Sequence, residues 1–223
     1  MNRTPLVLPL SLLSLSVGLS LAGSALANGD SIDKVNGSIS IDSNQHAGNL
    51  TTVNGSIHIE DGGSAQKVST VNGGITLGMR ATVESVETVN GGIELGDGAR
   101  VSKTVEAVNG SVQLGKGADV AGHVSNVNGR FTLDAAHIGG GLETVGGDIE
   151  IGADSHVEGG LIVDKPHGWS WGKSRNPRIV IGPRAVVTGT LDFRRDVDLF
   201  VSDSAKVGAV TGATATKFSG DHP

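Results

Sequence analysis

From residue 35 to residue 151 apolar and polar positions alternate in a pattern that restarts every 18 or 19 residues. Each copy carries a valine, taken as position zero: Val35, Val53, Val71, Val89, Val108, Val127 and Val145, in steps of 18, 18, 18, 19, 19 and 18. Four positions on stand Ile39, Ile57, Ile75, Ile93, Val112, Phe131 and Ile149. Six positions on stand Ile41, Ile59, Leu77, Leu95, Leu114, Leu133 and Ile151. Between these columns the residue changes freely, through Ser40, His58, Thr76, Glu94, Gln113, Thr132 and Glu150. Such period-2 alternation predicts a short strand with one buried face. A second apolar pair in each copy (Ala81/Val83, Ala99/Val101, Ala118/Val120) and a third (Val86/Val89, Val105/Val108) predict two further inward-facing segments.

Three inward segments per copy describe a triangular coil, and self-similarity at a fixed period is the mark of stacked coils. One coil cannot bury its inner face alone, whereas stacking buries it and pairs each backbone with its neighbours. The predicted fold class is therefore all-β: a single-stranded, triangular, parallel β-solenoid in one domain. Seven regular coils and two looser ones, at about 4.8 Å each, make a rod of roughly 40 Å. Asn-Gly follows the first six of these valines and marks a corner, since Gly tolerates positive φ and Asn the left-handed region. Asn36, Asn54, Asn72, Asn90, Asn109 and Asn128 are expected to stack as a structural ladder of side-chain amides along the axis. Gly146 takes the next position and should end it.

The remaining segments differ in composition. Residues 1–27 read as a cleavable secretory signal: Arg3, an apolar run from Leu6 to Ala22, and the A-x-A end Ala25-Leu26-Ala27. Regular coils then occupy 28–164, an insertion 165–178, looser coils 179–210, and a tail or cap 211–223. Removing Arg3 leaves 16 Lys and Arg against 23 Asp and Glu, a net charge of −7. That charge argues against nucleic acid as the main partner. With no cysteine there is no disulfide framework and no thiolate metal site. After signal cleavage no apolar run approaches membrane length. The product is expected in the periplasm, outside the cell, or at the cell surface.

The insertion holds both tryptophans, Trp169 and Trp171, with Lys165, Lys173, Arg175 and Arg178 around them. Solenoid insertions bulge from a corner and often form the binding face. Trp169, Trp171, Lys173, Arg175 and Arg178 are thus the candidate binding loop, suited to a sugar ring, a lipid headgroup or another protein. The alternative is that the tryptophans fold back over an apolar edge of the rod. The seven histidines fall at scattered offsets and read as solvated, and Asp and Glu form no evident acid–base pair. His58 and Glu60 share a face, a weak signal. No catalytic residue, cofactor site or metal site is assigned; P-loop, HExxH and calcium-binding nonapeptide motifs are absent.

The spellings LGDGAR-VSKTVE and LGKGAD-VAGHVS resemble the hexapeptide repeat of left-handed β-helix acyltransferases, which implies a catalytic histidine and an acyl donor. The scattered histidines and the export signal do not follow that pattern. IGADSHVEGGLIV and IGPRAVVTGTLDF…VSDSAKVGAV resemble bactofilins, the bacterial polymer-forming cytoskeletal proteins. VNGSI and VNGGIEL resemble the exported putative-adhesin β-strand-repeat proteins. Together these two resemblances span residues 32–210. The bactofilin resemblance implies a right-handed coil that polymerises end to end without nucleotide, although an 18-residue triangular coil accepts either hand. Bactofilins are cytoplasmic, and the export signal departs from them. The expected function is non-catalytic: an envelope-associated scaffold or adhesin-like module, self-associating through its ends or binding envelope protein or glycan. The alternative is a carbohydrate-binding or carbohydrate-active β-helix using the 165–178 loop.

Overall fold

The computed structural model describes residues 29–166 and 175–223. The signal assigned to residues 1–27 lies outside them, as do Trp169, Trp171 and Lys173. Within them the chain is all-β, and its strands stack in parallel as a solenoid of about nine turns.

Each turn contributes to three faces. The first face holds the columns four and six residues after the repeat valine, in strands such as Ile57–Ile59, Ile75–Leu77 and Ile93–Leu95. Ile39, Ile57, Ile75, Ile93, Val112, Phe131, Ile149, Ile179 and Leu199 stand in register along it. The second face stacks Ala65, Val83, Val101, Val120, Ile138, Val157, Val187 and Val207. The third stacks Leu50, Val68, Val86, Val105, Val124, Leu142, Leu161, Leu191 and Val210. In two turns the corner between the second and third faces opens out, and Ser64–Asn72 and Thr82–Asn90 run through it as single strands. Nearly all of these aliphatic residues are fully buried, and they form one continuous core.

The repeat valine is not part of that core. Val35 is 41% exposed, and Val53, Val71, Val89, Val108, Val127 and Val145 are only half-buried. The pairs Val86/Val89 and Val105/Val108 therefore do not both point inward. The second inward residue is the one before the valine: Thr52, Thr70, Thr88, Ala107, Asn126 and Thr144, all buried. Three of these threonines donate to corner carbonyls: Thr52 Oγ1 to Gly37 O (3.1 Å), Thr70 Oγ1 to Gly55 O (2.9 Å) and Thr88 Oγ1 to Gly73 O (3.1 Å). The hydroxyl satisfies an acceptor that the corner would otherwise leave without a partner inside the rod. The valine, one residue further, already faces outward at the bend.

The Asn-Gly corner also works differently from the turn its spelling suggests. None of the ladder asparagines has positive φ, and of the following glycines only Gly37 and Gly129 do. The glycines are required by stacking. A Cβ on Gly91 would lie 1.9 Å from Gly73 O, and one on Gly110 would lie 1.8 Å from Gly91 O. The left-handed backbone sits instead at the corner between the first and second faces, in Asn44, Gly62, Arg80, Gly98, Gly117, Ala135, Asp154 and Arg184. Five of those eight are not glycine, each at a cost of about 1–2 kcal/mol that the stacked turn must offset.

The alternation between 18 and 19 residues is settled at the corner between the second and third faces. Val83 and Val86 are three residues apart, but Val101 and Val105, Val120 and Val124, and Val157 and Leu161 are four apart. The turn through Leu133 and Ile138 is one residue short at the left-handed corner, which restores a step of 18. The tail is not separate from the solenoid. Thr216–Phe218 pairs with Asp198–Ser202 as a further rung of the first face, and Phe218 is half-buried there, in register with Ser202. The insertion ends earlier than its composition suggests, because Arg178 opens the strand Arg178–Ile181.

Urea denaturation tests these assignments. Thr70→Val should lower stability by about 1 kcal/mol through the lost hydroxyl bond. Val71→Thr should change it by less than about 0.5 kcal/mol. Gly91→Ala should cost at least about 2 kcal/mol, because the added methyl meets backbone.

Candidate functional site

The corner between the third and first faces carries two features on one edge of the rod. The first is the row of asparagines. Each side-chain amide donates to the carbonyl oxygen of the turn before it: Asn54 to Asn36 at 3.0 Å, Asn72 to Asn54 at 2.9 Å, Asn90 to Asn72 at 3.0 Å, Asn109 to Asn90 at 3.1 Å and Asn128 to Asn109 at 3.2 Å. Parallel in-register stacking brings each amide opposite its equivalent, and Asn both donates and accepts, so one side chain tiles with itself. The asparagines are exposed, yet their hydrogen-bonding groups are turned along the axis. The row is structural in character.

The second feature is the base of the insertion. Val163 and Ile179 follow one another around this corner, so residues 164–166 and 175–178 adjoin the edge the asparagines occupy. Asp148 clamps the returning chain. Its Oδ2 accepts from Arg175 Nη2 (2.8 Å) and its Oδ1 from the Arg178 backbone N–H (2.9 Å). Arg130 Nη2 stands 3.7 Å from the same carboxylate, whose side chain is only 17% exposed. Burial by itself would raise the Asp148 pKa; the Arg175 bond, the Arg178 N–H and the two arginine charges outweigh it and hold the group below the ordinary carboxylate range. Arg195 Nη1 reaches back to Val145 O at 3.0 Å, and the Arg178 guanidinium lies 5.2 Å from the centre of the Phe200 ring. Of the five candidate loop residues, Arg175 and Arg178 thus belong to the clamp, while Trp169, Trp171 and Lys173 fall outside the described residues. Asp148, Arg130 and Arg195 carried no signal in the sequence, since each stands in an outward position that varies from copy to copy.

A third feature lies at the corner between the second and third faces. Gly140, Gly141, Gly159 and Gly160 leave a concave cleft of about 470 Å³ there, bordered by Glu106, His123, Ser125, Leu142, Glu143 and Ile162. Glu143 is half-buried. Burial, then the neighbouring Asp164 charge, raise its pKa above the usual value against the opposing effects of Arg194 and His123. His123 Nε2 is 3.8 Å from Glu106 Oε1.

The histidines are less scattered than their offsets imply. His137 and His156 stand in register on adjacent turns, with ring centres 5.8 Å apart. The short corner before Ile138 displaces one offset relative to the other, which hides the pairing in the sequence. His137 Nδ1 is 2.5 Å from Asp119 Oδ1 and Nε2 is 3.2 Å from Glu158 Oε1. The Asp119 bond, assisted by Glu158 and opposed by burial, raises the His137 pKa. His58 Nε2 pairs with Glu60 Oε1 at 3.2 Å, with both side chains partly exposed. Among the described residues no three His, Asp or Glu side chains converge as a metal-ligand set, and no helix is long and apolar enough to cross a membrane.

No family model, curated protein or solved structure matches the chain.

The Asp148 clamp has a defined pH dependence. Its pKa is lowered in the folded chain, so its contribution is complete above the unfolded carboxylate value of about 3.9 and is lost as pH falls through the lower folded value. Trp169 and Trp171 are the only tryptophans, so intrinsic fluorescence reports on the clamped segment. A pH titration should show a fluorescence transition with its midpoint below about pH 3.9, and Asp148→Asn should abolish that transition.

Proposed function

We propose that the protein is a non-catalytic, exported interaction rod: an envelope-associated scaffold or adhesin-like module that presents the 165–178 segment from one edge. The observation that carries this reading is the clamp at Asp148. A rigid stack fastens the returning end of one insertion beside the edge held by the asparagine row, through Arg175, Arg178 and the Arg195 Nη2 bond to Arg175 O (3.5 Å). The polar groups of the rod serve the same end, since they tie turn to turn. The predicted signal at residues 1–27 supports a place in the periplasm, outside the cell or at its surface.

Whether such rods associate end to end turns on two lysines. Lys34 stands in the interior column headed toward Thr52, and Lys217 stands in register with buried Val201 at the far end; both are exposed. A second copy stacked on either end would bury one of these ammonium groups, which is unfavourable without a counter-charge; Lys34 Nζ has the neutral Ser38 carbonyl at 2.7 Å. Inward-pointing charge is a known means of blunting open strand edges. The rod is therefore read as acting singly, with its ends guarded.

Electron microscopy and light scattering of the purified protein test this. Short single rods are expected, and Lys34→Thr combined with Lys217→Val should produce higher oligomers. Filaments of the unaltered protein would overturn the guarded-end reading and return the proposal to an end-to-end scaffold. The second reading, a carbohydrate binder, rests on the two tryptophans of the clamped segment. It requires their fluorescence to respond to cell-wall or capsular fragments, and the response to vanish in Trp169→Ala and Trp171→Ala.

A further inference from the structure

Six Val-Asn-Gly corners make up the asparagine row. In an Asn-Gly pair the glycine nitrogen can close on the asparagine Cγ, because no Cβ hinders the approach. Whether it does so depends on what holds that nitrogen and that carboxamide, and the stack holds the six corners unequally. In five of them the glycine N–H donates to the asparagine carbonyl of the following turn: Gly37 to Asn54 O (2.9 Å), Gly55 to Asn72 O (3.0 Å), Gly73 to Asn90 O (3.0 Å), Gly91 to Asn109 O (3.0 Å) and Gly110 to Asn128 O (2.9 Å). The Gly129 N–H has no hydrogen-bond partner among the described residues. The next turn does not supply one, since Gly146 N–H donates instead to Val127 O at 2.9 Å. Strand pairing lapses at the same place. Asn109 stands in register with Asn128, but on its other side Val124–Asn128 pairs with Leu142–Thr144 only at Val124 and Ser125.

The side chains differ in the same sense. Asn54, Asn72, Asn90 and Asn109 are each held twice, donating to the turn before and accepting from the turn after. Asn128 donates to Asn109 Oδ1 at 3.2 Å, the longest bond of the row. Its own Oδ1 accepts from no described residue, because Gly146 has no side chain to offer. Asn36, at the other end of the row, accepts from Asn54 and keeps the bonded Gly37 N–H behind it.

We propose that Asn128–Gly129 is a site of spontaneous covalent modification, at which the folded chain deamidates through a succinimide while the other five corners are protected. The Gly129 nitrogen gives its proton to solvent base and attacks Asn128 Cγ. The N–Cγ bond forms, the Cγ–Nδ2 bond breaks, and Nδ2 leaves as ammonia with a proton from solvent. Water then opens the five-membered imide at either carbonyl, giving aspartate or isoaspartate. One water is consumed and one ammonia released, without oxidant or cofactor. In the bonded corners a hydrogen bond must break before the ring can close. Aspartate at this position replaces the Nδ2 donor by an acceptor facing Asn109 Oδ1, so the last rung of the row is lost. Isoaspartate also carries the main chain through the former side chain and lengthens the corner by one methylene. This inference stands independently of the interaction-rod reading.

Peptide mapping by mass spectrometry tests it, on the purified full chain held at mildly alkaline pH and sampled over time. All six sites share the spelling Val-Asn-Gly, so differences between them report the fold. In the urea-unfolded chain the six should deamidate at comparable rates. In the folded chain Asn128 should convert about tenfold or more faster than Asn54, Asn72, Asn90 and Asn109, with isoaspartate among the products. Equal rates at all six corners of the folded chain overturn the proposal. So does conversion of Asn36 or of an interior corner ahead of Asn128. Deamidation at Asn128 without isoaspartate excludes the succinimide route and overturns it as well.

Discussion

Backbone hydrogen bonding holds each turn of this rod about 4.8 Å from the next. Because the register is kept, every residue meets its own equivalents above and below rather than a chosen partner. A side chain is admissible at a position only if it can stack on copies of itself. Branched aliphatics can, and they fill the interior columns of all three faces. Asparagine can, because its amide donates in one direction and accepts in the other. A charged group stacks poorly, which accounts for the mixed outward columns and for the placing of Lys34 and Lys217 at the ends of inward ones. At the tightest corner only hydrogen can be stacked, and glycine follows.

The same constraint governs where the rod departs from regularity. An extra residue is absorbed at a corner, because a strand that gained one would turn its inward column outward. Corners are accordingly the places where the protein differs from turn to turn. The corner between the second and third faces takes the residue that turns an 18-residue copy into a 19-residue one, and glycines there open the cleft beside Glu143. The corner of the asparagine row takes the longest insertion, two turns after the row ends at Asn128. Asp148, with Arg130, Arg175, Arg178 and Arg195, holds the returning end of that insertion without disturbing the buried columns. Rigid faces and variable corners give a division of labour in which recognition is confined to the edges, whatever partner the edges meet.

Much of the architecture was legible from residue order. Buried columns that recur at a fixed period, such as Ile57, Ile75 and Ile93, leave few ways to hide their side chains other than stacking. The corner chemistry was less legible. Asn-Gly suggested a left-handed turn from its local spelling, yet the asparagines are not left-handed and the glycines answer to crowding from the neighbouring turn. The repeat valine suggested a core position by its hydrophobicity, yet the preceding threonine takes that place because its hydroxyl reaches a carbonyl one bend away. Both errors share a cause. Local propensity describes a residue against its chain neighbours, whereas here the decisive neighbour lies 15 or 18 residues distant.

The sequence alone determined that the chain stacks, in which period, and which aliphatic columns lie inside, because hydrophobic burial at a fixed interval is a one-dimensional signal. Only the tertiary structure decided which side of each corner faces inward, that Asp148 gathers Arg130, Arg175 and the Arg178 backbone, and that Glu106 and Glu143 share a cleft. Those groupings join residues from different turns at varying offsets. They depend on where each turn gains or loses a single residue, and that becomes visible only once the turns are laid upon one another.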